Sequence, residues 1–343
     1  MITIYDIAKK ANVSAMTVSK VINQTGRIST ATRERVQQVI DELGYIPNSN
    51  ARSLVLQRTQ MLSLLITDIT NPFYTTLARG AEDAANARGY RLLFGNSDED
   101  YNKEKNYVET ILSTRVDGVL FAPAGDRSLD HLQQLHERNI PFVILDRTVP
   151  GITSDVIAGD SRQGALLLIR YLTELGHRRI ALVNGSSEVS TARLREEGYA
   201  EGLREAGVKV DPKLVLRTGY RDFSDEAGME QLLTQPDKPT AIFAANNMLA
   251  IGVIRLLRKR GLRVPEDISV VCFDDLDLAS AFDPFLTVAA QPAYDFGANG
   301  MHMLIDRIEG TAPTDPQTVI LPSELRIRAS ASLPLGQSKP LES

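Results

Sequence analysis

Cysteine is all but missing from this 343-residue chain, with Cys272 standing alone. A single thiol excludes an internal disulfide and any multi-cysteine zinc site. It also fits a reducing compartment. Histidine is scarce as well. His131, His136, His177 and His302 are scattered without an HExxH or other zinc spacing, so no metal is expected. His177, in a polar turn from helix to strand, reads as a capping or surface residue. Long apolar runs are absent too. One of the longest, residues 164–169, is far below the ~18 residues of a membrane span. The opening Met1-Ile2-Thr3-Ile4-Tyr5-Asp6 has no basic stretch leading into an apolar one. No signal peptide is therefore expected, and the expected location is the cytoplasm. Catalytic signatures are also lacking. The first strand of the body runs into Asp68-Ile69-Thr70-Asn71-Pro72 rather than a glycine-rich phosphate turn. No phosphate loop and no Gly-x-Ser-x-Gly elbow occur. The expectation is a non-enzyme with no cofactor.

What is present is an ordinary globular composition, 43% hydrophobic and 24% charged, with a net charge of −5. Length alone suggests about two to three domains. The charge is unevenly placed. Residues 1–60 carry eight Lys/Arg against four acids, whereas the remainder carries 30 against 39. A basic head on an acidic body suggests that the head meets a polyanion.

The head reads as three short helices. Residues 6–11 read as a short amphipathic helix, with Ile4, Ile7, Ala8 and Ala11 at helical spacing and Asn12 as a break. Ser14 suits the N-cap of a second helix over 15–22, because its hydroxyl can accept from a free amide of the first turn. Val18, Val21 and Ile22 form its buried stripe. Ala15, Met16, Ser19, Lys20 and Asn23 fall on the opposite face. A third helix spans about 30–43, with Val36, Val39, Ile40 and Leu43 inward and Gly44 as its end. Two short helices around a tight turn, then a third, match a helix-turn-helix, whose second helix lies in the DNA major groove.

The residues themselves go further. Thr3-Ile4-Tyr5-Asp6-Ile7-Ala8-Lys9-Lys10-Ala11-Asn12-Val13-Ser14, followed by Thr17-Val18-Ser19-Lys20-Val21-Ile22-Asn23, closely resembles the LacI/GalR family of bacterial transcriptional regulators. So do Thr32-Arg33-Glu34-Arg35-Val36, Glu42-Leu43-Gly44-Tyr45-Ile46-Pro47-Asn48 and Ala51-Arg52-Ser53-Leu54. The likeness continues to about residue 330. It implies base reading by Ala15, Met16 and Lys20, and phosphate or groove contacts from Ser14, Thr17, Ser19 and Asn23. Lys20 could donate to guanine acceptors, and Met16 could pack on a thymine methyl. The resemblance makes 47–60 a hinge that folds on DNA and pairs with its dimer mate. Ala51 lies in it, and Leu54 matches a leucine that wedges between base steps in the minor groove.

From residue 61 the pattern becomes short apolar runs separated by amphipathic stretches. Strands are expected over 62–66, 91–94, 118–122, 142–145, 180–183, 241–244 and 270–273. Helices are expected over 73–88, 103–113, 129–138, 165–175, 191–206, 226–233 and 249–260. Strict alternation predicts parallel sheets covered by helices on both faces. A gap near 146–160 suggests two α/β lobes. The fold expected is an all-α helix-turn-helix head (1–46) plus a two-lobed core like a periplasmic sugar-binding protein (61–332). By the likeness, the first lobe holds about 61–160 and 290–320, and the second about 161–289 and 321–332. Residues 333–343 read as a loose tail without a leucine heptad that would favour a tetramer.

Ligands of open parallel sheets bind outside the carboxyl ends of the strands. Asp146 and Asp274 fall there. A carboxylate can accept from hydroxyls or amines, and Arg147 or Arg195 could grip a polar ligand in a fork. The resemblance matches Asp274, Arg195 and Asn246 to family motifs, and Phe73 and Tyr74 to the aromatic side of an effector pocket. Phe223 and Gln291 are further candidates. Asn247 departs from the family's usual aspartate, Cys272 replaces its usual glycine, and Val189 stands where purine-responsive members carry arginine. The implied protein is a repressor binding a near-palindromic operator as a homodimer under control of a small, carbohydrate-type effector. Two alternatives remain at this stage. One is a solute-binding protein for transport, against which the basic head and missing export signal argue. The other is an α/β enzyme acting on a sugar, for which no catalytic dyad is visible.

Overall fold

A computed structural model describes residues 2–23, 25–45, 58–220, 225–276 and 283–335. The chain divides into two compact units, Met1–Thr59 and Gln60–Ser343.

The first unit contains α1 (Ile4–Ala11), α2 (Ala15–Ile22) and α3 (Thr30–Leu43). Helix α1 begins two residues before the expected 6–11. Thr3 and Asp6 explain this: the Asp6 carboxylate accepts from Thr3 N at 2.8 Å and from Thr3 Oγ1 at 2.7 Å, which satisfies an amide that would otherwise be orphaned. The helix stops at Asn12, which takes the left-handed conformation, φ 52°. Ser14 then caps α2 by accepting from Thr17 N at 3.1 Å. Ser29 caps α3, and Gly44, at φ 59°, ends it. Ile7, Ala11, Val18 and Val36 bury completely or nearly so where the three helices meet.

The second unit holds two six-stranded sheets. The first comprises β1 (Met61–Ile66), β2 (Arg91–Asn96), β3 (Gly118–Phe121), β4 (Phe142–Asp146), β5 (Asp155–Gly159) and β11 (Thr318–Leu321), in the order β11-β5-β4-β3-β1-β2. The second comprises β6 (Ile180–Asn184), β7 (Val215–Arg217), β8 (Ala241–Ala244), β9 (Ser269–Phe273), β10 (Thr287–Ala290) and β12 (Glu324–Arg326), in the order β12-β10-β9-β8-β6-β7. All pairings are parallel except β10 with β12. The two orders are the same pattern, so β4 of one lobe corresponds to β9 of the other. The chain crosses between lobes after β5, after β10 and again between β11 and β12.

Helices α4 (Pro72–Ala87), α5 (Tyr101–Thr114), α6 (Leu129–Glu137) and α11 (Ala293–Glu309) belong to the first lobe. Helices α7 (Ser161–Glu174), α8 (Ser190–Glu205), α9 (Glu226–Thr234) and α10 (Asn247–Lys259) belong to the second. Strands β3, β4, β6, β8 and β9 are buried along their whole length. Such strands read as continuous apolar runs because helices cover both faces. The second lobe carries the largest core, around Tyr199, Phe243 and Phe273.

His177 is not at the surface. It is 1% exposed. Its Nδ1 meets Thr240 Oγ1 at 2.8 Å, and its Nε2 meets Ser332 O at 2.9 Å. Burial lowers its pKa. The side chain fastens the segment after β12 to the second lobe, a role that only the tertiary fold reveals. The loose tail expected at 333–343 lies mostly outside the described residues.

Candidate functional site

The carboxyl ends of equivalent strands meet between the two lobes. Asp146 ends β4 with φ 64°, and Asp274 follows β9 with φ 69°. Aspartate tolerates this left-handed region better than most residues. Each backbone turn ends its strand and leaves a carboxylate at the mouth of its sheet. Three helices enter the same place: α4 capped by Asn71, α10 capped by Asn246, and α8 with Thr191 in its first turn.

The side chains interlock. Tyr74 donates its hydroxyl to Asp146 Oδ2 at 3.0 Å. Arg147 donates to Glu99 Oε1 at 2.5 Å and to the carbonyls of Pro123 and Ala124 at 3.2 and 3.1 Å. Arg195 donates to Ala245 O at 2.6 Å, and its guanidinium lies 3.9 Å from the Phe273 ring centroid. Its Nη2 is 3.9 Å from Asp274 Oδ2. Gln291 donates to Asp274 Oδ1 at 2.7 Å. Burial pushes the Asp274 carboxyl up to about 6, against the pull of Arg195 and Gln291. Burial also drives the Tyr74 and Tyr220 hydroxyls up. Asp146 Oδ1, Arg147 Nε and Arg195 Nε are buried without a hydrogen-bond partner. Such groups are costly unless something else satisfies them.

A small cavity of about 20 Å³ remains among these groups, room for about one water. Phe73, Tyr74, Asp146, Arg147, Arg195, Asn246 and Asp274 all line it. Phe73 and Tyr74 also belong to the first-lobe core, packed edge to face at 5.1 Å. Asn246 is largely committed internally, accepting from Leu249 N and donating to Tyr220 O. Gln291 stands behind Asp274, beside a second opening lined by Tyr294 and Arg326. Phe223 lies outside the described residues.

Asp68, Asn71, Glu99, Thr191 and Tyr220 complete the lining and were not singled out in the sequence. The strand-end rule reaches two of them, since Asp68 follows β1 and Glu99 follows β2. A further pair lies behind the site. Glu104 and His131 are fully buried, 2.5 Å apart. Glu104 Oε2 accepts from Ala124 N at 2.8 Å, which fixes the loop whose carbonyls hold Arg147.

The lobes are joined around the site. Asn247 Nδ2 donates to Asn71 Oδ1 at 3.0 Å. The Arg193 guanidinium forks onto Asp126 at 2.8 and 3.1 Å. Thr148 N donates to Ser190 Oγ at 2.8 Å. An aspartate at 247 would set an acceptor against Asn71 Oδ1, so the departure at this position creates a bond between the lobes.

In the head unit, α2 presents Ser14, Met16 and Lys20 to solvent, while Ala15, Thr17, Ser19 and Asn23 are half-buried. Met16 is 69% exposed, unusual for a large apolar side chain with no partner. Ser14 Oγ meets Thr17 Oγ1 at 2.9 Å, and Asn23 donates to Ser19 Oγ at 3.3 Å. Tyr5 is 72% exposed as well and was not singled out. Ala51 and Leu54 lie outside the described residues. Among the described residues no cluster of His, Cys, Asp or Glu could hold a metal, and no helix is long and apolar enough to cross a membrane.

Comparison with known proteins agrees at both ends of the chain. Residues 3–48 match the family model of bacterial regulatory proteins, lacI family, and residues 169–331 match a periplasmic binding protein-like domain. The HTH-type transcriptional regulator DegA of Bacillus subtilis (strain 168) is 37% identical over 96% of this chain and 98% of its own length. A solved complex of the transcriptional regulator CelR with cellobiose superimposes with a TM-score of 0.72 at 32% identity, covering 96% of this chain and all of that one. The lac repressor dimer bound to operator and the anti-inducer ONPF superimposes with a TM-score of 0.83 at 28% identity, covering 96% of this chain and 99% of that one. Such relatives regulate transcription and are not enzymes. This chain belongs to the LacI family of bacterial regulatory proteins and is a DNA-binding transcription regulator.

Proposed function

We propose that the protein is a cytoplasmic repressor that binds a near-palindromic operator as a homodimer and is controlled by a small sugar-type effector held by the site between its lobes. The observation that carries this reading is the enclosed cluster at the ends of β4 and β9. It holds buried polar atoms still lacking partners and shares a chain with a basic three-helix module. In this reading Met16 and Lys20 read base edges, helped by Ala15. Ser14, Thr17, Ser19 and Asn23 contact the backbone, and segment 47–60, with Ala51 and Leu54, joins the two functions.

The effector contacts are proposed to be Phe73, Tyr74, Asp146, Arg147, Arg195, Asn246 and Asp274, with Gln291 orienting Asp274 and Phe223 as a further contact. Relatives support the class of ligand and assembly: CelR was solved with cellobiose, and the lac repressor as a dimer on operator. Strand β2 supports a second copy as partner. It is an edge strand, and Leu93 and Phe94 on it are 38% and 43% exposed.

Allosteric control requires a ligand to favour one arrangement over another. Ligand pockets run from roughly 300 Å³ upward, whereas the cavity here is about 20 Å³. A sugar therefore enters only if the lobes part, which strains the Asn247–Asn71 and Arg193–Asp126 contacts. That difference is the proposed source of coupling, typically ~1–3 kcal/mol. The test is fluorescence anisotropy of a selected operator duplex, with and without a ligand found by thermal-shift screening of sugars. Operator affinity that moves with ligand supports the reading. Affinity indifferent to every stabilising ligand refutes it.

A further inference from the structure

Four carboxylates line the cavity, Asp68, Glu99, Asp146 and Asp274, against two guanidinium groups, Arg147 and Arg195. Arginines commonly hold anionic ligands through their forks. Here both guanidinium groups already face carboxylates: Arg147 donates to Glu99 and two carbonyls with its Nε 3.8 Å from Asp146 Oδ2, and Arg195 donates to Ala245 O with its Nη2 3.9 Å from Asp274 Oδ2. The Nε of each is buried without a hydrogen-bond partner. The helix N-termini of α4, α8 and α10 add partial positive charge, about half a unit each. Asn71 and Asn246 already cap two of them. That offset falls short of the surplus of two negative charges. Among the carboxylates of the lining, Asp146 Oδ1 is a buried acceptor without a donor.

Resting on the cleft as effector site, we propose that it selects by charge: it takes hydroxyl-rich ligands that are neutral or bear a protonated amine, and rejects sugar phosphates and sugar acids, with Asp146 as a selecting residue. A hydroxyl or ammonium group supplies what Asp146 Oδ1 lacks. A carboxylate or phosphate meets a like charge beside guanidinium groups that already face carboxylates of the chain, and in a buried site that repulsion is little screened.

The test uses the full-length protein and matched sets on one ring: glucose, glucosamine, glucuronate and glucose 6-phosphate, with the same four forms of galactose and of mannose. Thermal shift finds binders, because a ligand that binds only the folded form raises its melting temperature. Calorimetry then ranks them. Within each set that binds, the acid and phosphate should bind at least about tenfold more weakly than the better of the other two. A phosphate or acid as the tightest member of any set overturns the proposal but leaves the cleft as effector site. Silence from every set overturns both. Asp146→Asn keeps a residue suited to φ 64° and should narrow the gap between neutral and acidic members by about fivefold or more. An unchanged gap overturns the role given to Asp146.

Discussion

Asp274 keeps a carboxylate where burial disfavours its charge, and its pKa of about 6 in the folded chain exceeds the ordinary 3.8. The folded state therefore holds the proton more tightly than the unfolded one. Stability falls as pH rises from about 4 to about 6, and above that the full penalty applies. A shift of roughly two units corresponds to at most about 3 kcal/mol. Asp274→Asn keeps the acceptor for Gln291 and suits the left-handed backbone. It should raise stability at pH 7.5 by about 1–3 kcal/mol, with the gain shrinking towards zero below pH about 4. Urea unfolding at several pH values checks this, and lower stability at pH 7.5 would contradict it. The same variant should bind effector more weakly, because stability gained at a binding site is often lost as function. At this scale the sequence was informative at Asp146 and Asp274, polar residues that close an apolar run, while Asp68 and Glu99, set two and three residues past β1 and β2, were passed over. It was silent on Thr191 and Tyr220, which reach the cavity only through the packing of the second lobe.

Burial made several strands legible but not all: β10 is buried throughout and was missed, whereas the largely exposed β2 was read. Strands β3, β4, β6, β8 and β9 are continuous apolar runs because both faces are covered. Strand β5 begins with Asp155, whose charge is answered by Arg307 at 2.8 Å, a partner 152 residues away that no local window can see. Strands β11 and β12 alternate exposed and half-buried positions over three or four residues. Helix α11 was hidden by Gly297 and Gly300, which look like breakers but allow close packing. A Cβ on Gly297 would sit 1.8 Å from Leu77 O and 2.7 Å from Ala81 N, both backbone atoms of α4. Gly297→Ala gains up to about 1 kcal/mol of helix propensity. The forced separation of α4 and α11 should outweigh that, for a net loss of about 3 kcal/mol or more, visible as a lower urea midpoint. An unchanged midpoint would mean the crossing is looser than described. On the opposite flank, Phe94→Asp places a charge on the exposed edge of β2. Under the dimer proposal, light scattering should then report a monomer while the circular dichroism spectrum stays that of the parent. A mass unchanged from the parent dimer would remove this face from the interface.

Across the whole molecule, charge divides the labour. The head carries a surplus of positive charge and the body a surplus of negative charge, so only the head gains from a polyanion. Operator affinity should fall steeply with salt, because each phosphate contact releases counterions. Under the proposed function, effector affinity should hardly respond, since the groups proposed to hold it are buried between the lobes. Arg195→Ala removes a buried cation from the proposed effector site and changes no residue of the three-helix unit. It should abolish the response to effector while leaving operator affinity within about twofold of the parent. Normal release of operator by that variant would disprove the assignment of Arg195. The most direct measurement begins with repeated selection of duplexes from a random pool by the purified protein. The winner is then titrated against a scrambled duplex at physiological salt, with and without a ligand that stabilises the body. One near-palindromic winner is expected, bound about a thousandfold tighter than the scrambled duplex, with an affinity that ligand shifts. Equal affinity for both duplexes, whatever ligand is present, would contradict the account.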